Sequence, residues 1–155
     1  MRQLIRMPFL FFLLAAGIGL LLRYHFNRPL DWLKFPFWLH AHSHMMFLGW
    51  ILNFLCIAFV RNSIRRSSQK KFVALLWLIQ ALLAAMLISF PLQGYGVASI
   101  VLSTLHTVAM TVFTIWFFAE TKREVFTLAG WLAKISLILF LISAVVGLAR
   151  RSGGP

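Results

Sequence analysis

Phe9-Leu-Phe-Phe-Leu-Leu14 sits inside an apolar stretch running from Leu4 to Tyr24, and that stretch decides what kind of chain this is. Crossing the hydrocarbon core of a bilayer takes about 20 predominantly apolar helical residues. Four further stretches meet or nearly meet that length, over 37–60, 72–92, 97–118 and 125–149. Backbone groups in lipid must be satisfied within the segment, so each stretch is predicted to be helical, and no alternating barrel pattern competes. The expected fold is therefore all-α: a multi-pass membrane bundle of about five transmembrane helices, forming one domain over 1–155.

Composition agrees. The chain is 61% hydrophobic and 12% charged, with a mean hydropathy of +0.88. A soluble domain would carry charge on about a quarter of its residues. Too little polar surface remains to cover a water-facing globule, so the lipid bilayer is the expected solvent.

The net charge is +12, from 15 Lys and Arg against the acids Asp31, Glu120 and Glu124. In a soluble chain this balance would suggest nucleic acid. Here the basic residues fall between the apolar runs, where they set topology and attract anionic lipid; no nucleic-acid partner is expected. Arg2, Arg6, Arg61, Arg65, Arg66, Lys70, Lys71, Lys122 and Arg123 share one side of the membrane. Arg23, Arg28, Lys34, Arg150 and Arg151 occupy the other, and Lys134 lies within the fifth stretch, from where it is expected to snorkel to the cytoplasmic headgroups. The side richer in Lys and Arg is expected to be cytoplasmic, placing the N-terminus inside and the C-terminus outside.

The connections fit this arrangement. Arg28-Pro29-Leu-Asp31 and Lys34-Phe-Pro36 break the chain before the second stretch, and 61–71 is a basic, serine-containing loop. Pro91-Leu-Gln-Gly94-Tyr-Gly96 is so short a turn that the third and fourth stretches must be antiparallel neighbours. Glu120 to Glu124 forms a mixed-charge loop. The basic start followed by an apolar run resembles a signal peptide, but no clean small-x-small site follows, and a retained first helix is expected. Cys56 is the sole cysteine and no CxxC pattern occurs, which argues against structural zinc and covalent haem attachment.

The second stretch opens with Trp38-Leu-His40-Ala-His42-Ser-His44-Met-Met-Phe-Leu-Gly49-Trp50. Ionisable groups at membrane depth are costly and usually mark function. Imidazole is the commonest protein ligand for transition metals and a standard axial ligand for haem iron. Four residues apart, His40 and His44 share a helix face, while His42 points largely away from them. The His42 side continues to Gly49, Asn53 and Cys56, small and polar residues that mark an inward face. On that periodicity His42 is expected to be buried. The His44 side continues into Phe47, Leu48, Ile51 and Leu55, which suit lipid or the edge of a large apolar cofactor.

The fourth stretch supplies a partner face. Ser99, Ser103, Thr104, His106, Thr107, Thr111 and Thr114 lie on one broad arc. His106 is roughly 15 Å below the outer turn and His44 roughly 10 Å into its helix, at 1.5 Å per residue. Histidines at comparable depth on two helices are what a haem or metal held between helices requires. Met45, Met46 and Met110 suit soft copper but are more often packing residues, and His25 falls in a loop between Arg23 and Arg28.

The run His40-Ala-His42-Ser-His44-Met-Met-Phe-Leu-Gly49-Trp50 is similar to the second-helix motif of proteins related to haem-copper oxidase subunit I and the NnrS family. In particular it resembles a bacterial branch of multi-pass membrane proteins carrying His-Ala-His-Ser-His followed by Leu-Gly-Trp. The stretch Phe90-Pro-Leu-Gln-Gly-Tyr-Gly96, followed by Ser99-Ile and Ser103-Thr-Leu-His106, also looks like that branch. The resemblance implies haem or copper held by histidines, chemistry with O2 or NO, and a place in the bacterial cytoplasmic membrane. By motif, His42, His44 and His106 match the family's ligand region. Such relatives are about twice as long, so this chain would correspond to a short relative or an N-terminal half. Its five histidines do not suffice for both haem and copper shells.

Three functions therefore compete. The first is a haem-binding protein for electron transfer or gas binding, using His42, His44 and His106, with Gly49 allowing a ring or a helix to approach closely. The second is a copper or zinc site on His40, His44 and His106; hydrolysis there would want a buried carboxylate, and all three acids lie in loops. The third is a scaffold or assembly subunit, associating with further copies or other membrane subunits, whose histidines are interhelical hydrogen bonds.

Overall fold

The computed structural model describes residues 2–121 and 128–152. Among them the chain is helical and has no strand. The helices are α1 (Arg2–Asn27), α2 (Phe35–Ser63), α3 (Gln69–Gln93), α4 (Val97–Glu120) and α5 (Leu128–Ser152). The first four are long and apolar enough to cross a membrane; in α5 the described apolar portion is Gly130–Ser143. The expected start of the fifth helix at Val125, and Lys122, Arg123 and Glu124 of the mixed-charge loop, lie outside the described residues.

Each helix packs most extensively on its neighbours in sequence: α1 on α2, α2 on α3, α3 on α4 and α4 on α5. Short connections enforce this order. The core runs along the shared seam through Leu4, Phe11, Met45, Cys56, Val60, Phe72, Leu76, Leu83, Met110, Phe113 and Phe117. Lipid tails are as apolar as these side chains, so the seam is held by close packing and by interhelical hydrogen bonds rather than by expulsion of water.

The ends of the helices show how the sequence closes each turn. Pro36 stands in the first turn of α2, where its missing N–H costs nothing. At the other end of α2 the Gln69 amide donates to the carbonyls of Val60 (3.3 Å) and Ile64 (2.9 Å), satisfying acceptors the helix leaves open. Lys71 and Glu120 pair at 2.7 Å across the same end of α3 and α4. Lys134 of α5 reaches the Thr121 carbonyl at 3.4 Å.

Two expectations are corrected. Pro91 does not open the turn between the third and fourth helices: α3 continues through it to Gln93. The turn itself is closed by the Gly96 N–H on the Gln93 carbonyl at 3.1 Å. Gly94 occupies its first central position at φ +59°, ψ −128°, a type II′ geometry that glycine alone adopts without strain. A Cβ there would also lie 2.4 Å from the Phe37 ring, so this glycine is what lets the turn seat against the start of α2.

The second correction concerns α2, which is not a regular α-helix. Met45–Leu52 is a π segment, with bonds closing five residues back instead of four. An inward face drawn at α-helical spacing from Gly49 reaches His42. The observed buried face runs instead through Ala41, Met45, Gly49, Asn53 and Cys56. The additional residue in the π turn moves the seam from 42 to 41, so His42 is half-buried, like His40 and His44. Of the expected outward face, Phe47, Ile51 and Leu55 are exposed, whereas Leu48 is half-buried and packs on the core.

Candidate functional site

His40 and His44 face the C-terminal end of α3 and the turn beyond it. The His40 Nδ1 lies 3.1 Å from the Tyr95 hydroxyl, with the two rings edge to face at 4.3 Å. The His44 ring packs at 4.6 Å on Phe90, which is wholly buried. Its Nδ1 lies 3.0 Å from the His40 carbonyl, one helical turn back.

His42 points elsewhere. Its Nδ1 lies 2.9 Å from the Ala15 carbonyl of α1. The ring lies over Gly19, where a Cβ would stand 3.0 Å from the His42 Cε1. Glycine at 19 thus admits an imidazole between α1 and α2.

These contacts fix tautomers. A carbonyl oxygen only accepts, so in the neutral rings of His42 and His44 the proton sits on Nδ1 and the lone pair on Nε2. A metal-ligating histidine held by a backbone carbonyl through Nδ1 has that same arrangement.

His106 is the most enclosed imidazole in the chain, 2% exposed within α4. Its Nε2 is buried without a hydrogen-bond partner. Burying such a nitrogen unpaired costs about 1–3 kcal/mol, so an orphan of this kind asks for a reason. His44 stands nine residues past Phe35 and His106 nine past Val97, so both lie about 14 Å from their helix starts at the α-helical rise. The distances expected from sequence differ by about a turn; the earlier start of α2 makes them equal.

The hydroxyl arc of α4 divides. Ser99, His106 and Thr114 are buried, whereas Ser103, Thr104, Thr107 and Thr111 are half-buried. The threonine hydroxyls donate to their own helix, Thr107 to Ser103 at 3.0 Å and Thr111 to Thr107 at 2.9 Å, so they need no further partner in lipid. An open cleft of about 400 Å³ lies further along α4, lined by Thr114, Ile115, Phe118, Ala119 and Ile138, and contains no histidine.

The structure thus places His44 and His106 at matching distances along α2 and α4 and sends His42 to α1. Among the described residues no three His, Cys, Asp or Glu side chains group at metal-holding spacing, so His40, His44 and His106 do not form a three-imidazole set. Gly49 is buried against α1: a Cβ there would meet Phe11 Cβ and Cγ at 3.0 Å, so what it admits is a helix. His25 accepts from the Leu30 N–H at 3.1 Å and stacks on Phe35, a local closure of the first loop.

Gln80 and Tyr95 went unmarked as functional residues in the sequence. The Asn53 Nδ2 donates to Gln80 Oε1 at 2.9 Å and Gln80 Nε2 donates to Asn53 Oδ1 at 2.7 Å, both side chains buried. The available signal was one carboxamide in the middle of each of two apolar runs, where a polar side chain normally finds an interhelical partner. No family model, curated protein or solved structure matches the chain.

Proposed function

We propose that this chain is a bacterial inner-membrane protein that holds a haem between α2 and α4 through His44 and His106. The observation that carries the reading is the buried, unpartnered Nε2 of His106, as far along α4 as His44 is along α2. The Nδ1 contact of His44 to a backbone carbonyl fixes its ring as in ligating histidines, and His44 and His106 are the residues that would hold the haem. Phe90, packed on His44, is the side chain a macrocycle would stack against or displace. When bound, the haem would supply one-electron transfer or binding of a diatomic gas such as O2 or NO. The chain's own groups would orient the ring and exclude water from it.

In this reading the chain makes five spans with its N-terminus in the cytoplasm. The end of the bundle bearing Arg61, Arg65, Arg66, Lys70 and Lys71 then lies inside, and the Tyr95 turn faces out. The resemblance of His40–Trp50 to haem-copper oxidase subunit I-like and NnrS-like proteins points the same way. A copper or zinc ion on His40, His44 and His106 is less well supported, because those side chains do not group as a ligand set.

Absorption spectra and elemental analysis of His42→Ala, His44→Ala and His106→Ala variants, expressed with ample haem, test the assignment. A Soret band should be lost or shifted in the last two and retained in His42→Ala. An unchanged spectrum in His106→Ala would overturn it.

A second reading has its own observation. His42 serves wholly as a hydrogen bond between α1 and α2, the role of an interhelical histidine in a structural or assembly subunit. If all the histidines act so, each alanine variant lowers the melting temperature and no bound iron or copper is found.

A further inference from the structure

The π segment of α2 and the amide pair beneath it carry an inference that rests on the proposed His44–His106 site and deepens it. In a regular α-helix the Asn53 backbone N–H would bond the Gly49 carbonyl, four residues back. Here that N–H instead donates to the carbonyls of Leu48, five back, and Trp50, three back. The Asn53 side chain takes the vacated place, its Nδ2 reaching Gly49 O at 3.1 Å. The same amide is held from across the interface by Gln80, through the two bonds given above. A π turn is rare and occurs mostly as a single-turn bulge within an α-helix, frequently at functional sites; this buried clasp lies directly against it.

An i→i+5 turn holds one residue more than an i→i+4 turn. Passing through it rotates the outer part of α2 by on the order of 100° relative to an unbroken α-helix. That rotation puts Ala41 and Met45 in the core, aims His42 at Ala15 and sets His44 on Phe90.

We propose that Asn53 and Gln80 are positioning residues, whose buried amide pair holds the π segment and thereby sets the rotation that presents His44 to His106 and His42 to α1. The clasp acts through the backbone and touches neither imidazole. It accounts for two carboxamides at the middle of the bundle that the ligand set does not use.

Cysteine crosslinking in membranes reads the rotation directly and needs no bound cofactor. In a Cys56→Ser background, Gly19→Cys is paired in turn with Ala41→Cys, His42→Cys and Ser43→Cys, and disulfide formation is scored by protection from maleimide after oxidation. The otherwise unmodified chain should crosslink at 42. Asn53→Leu with Gln80→Leu should lose the crosslink at 42 and gain it at 41 or 43. The exchange Asn53→Gln with Gln80→Asn, which rebuilds an amide pair, should restore it at 42. Should the double leucine variant fail to insert, Gln80→Leu alone keeps the Asn53–Gly49 bond and should show the same shift in part. Crosslinking at 42 undiminished in the folded leucine variants overturns the proposal.

A spectroscopic arm separates this proposal from the one beneath it. The double leucine variant should shift or broaden the Soret band and the exchange variant should return it. A chain without any Soret band ends the haem assignment and leaves the clasp to be decided by the crosslinks alone.

Discussion

Replacing Asn53 by leucine should cost far more alone than in company with the same change at Gln80. The single substitution strands the Gln80 amide, 3% exposed, in the middle of the bundle, with neither of its two bonds to Asn53. An unsatisfied buried polar group costs about 1–3 kcal/mol, whereas replacing both partners by apolar groups is nearly neutral. Interhelical hydrogen bonds in membrane bundles average about 0.6 kcal/mol and reach about 1.7. Two such bonds give a coupling of about 1–3 kcal/mol. The assay is a double-mutant cycle over the parent, Asn53→Leu, Gln80→Leu and the double variant, each unfolded reversibly in mixed micelles. Each single variant should be destabilised, and the double variant should be more stable than the sum of the two changes implies. Additivity within about 0.3–0.5 kcal/mol, the behaviour of independent sites, would refute the reasoning.

The remaining expectations concern glycines and the charged end of the bundle. Gly94→Ala places a Cβ 2.4 Å from the Phe37 ring at a backbone conformation alanine resists. Strain and overpacking of about 1–3 kcal/mol each should lower the melting temperature markedly. Gly49→Ala, tight against Phe11 at 3.0 Å, should cost about 1–3 kcal/mol by pushing α1 outward. Gly17→Ala is the control: nothing lies within 4 Å of its Cβ, so it should be neutral or stabilising by up to about 1 kcal/mol. Glu120→Gln breaks the pair with Lys71 at the exposed end of α3 and α4 and should leave the melting temperature nearly unchanged, measured at physiological salt.

What the sequence conveyed follows from how strongly each feature is encoded. Apolar length is read directly from composition, so the four long helices and their antiparallel order were legible to within a few residues. The outward face of α2 was legible because Phe47, Ile51 and Leu55 follow the helical period. The π segment was not, because Met45–Leu52 is a run of apolar residues that suits an α-helix as well; only the buried clasp below it tips the balance. Every phase deduced across that segment inherits the error, which is why His42 was expected in the core and Ala41 and Met45 occupy it. His106 was easier: α4 is regular, and a histidine on its hydroxyl arc had to face inward. That Gly49 and Gly19 serve the contact with α1 depends on which helices pack together, which spacing within one helix does not reveal.

The most direct test of the central claim is the visible spectrum and iron content of the unmodified chain, purified in detergent after expression with added haem. A Soret band and iron in stoichiometric amount are expected, the band lost or shifted when His106 becomes alanine. Protein that is folded and membrane-inserted yet carries neither a Soret band nor iron would contradict it.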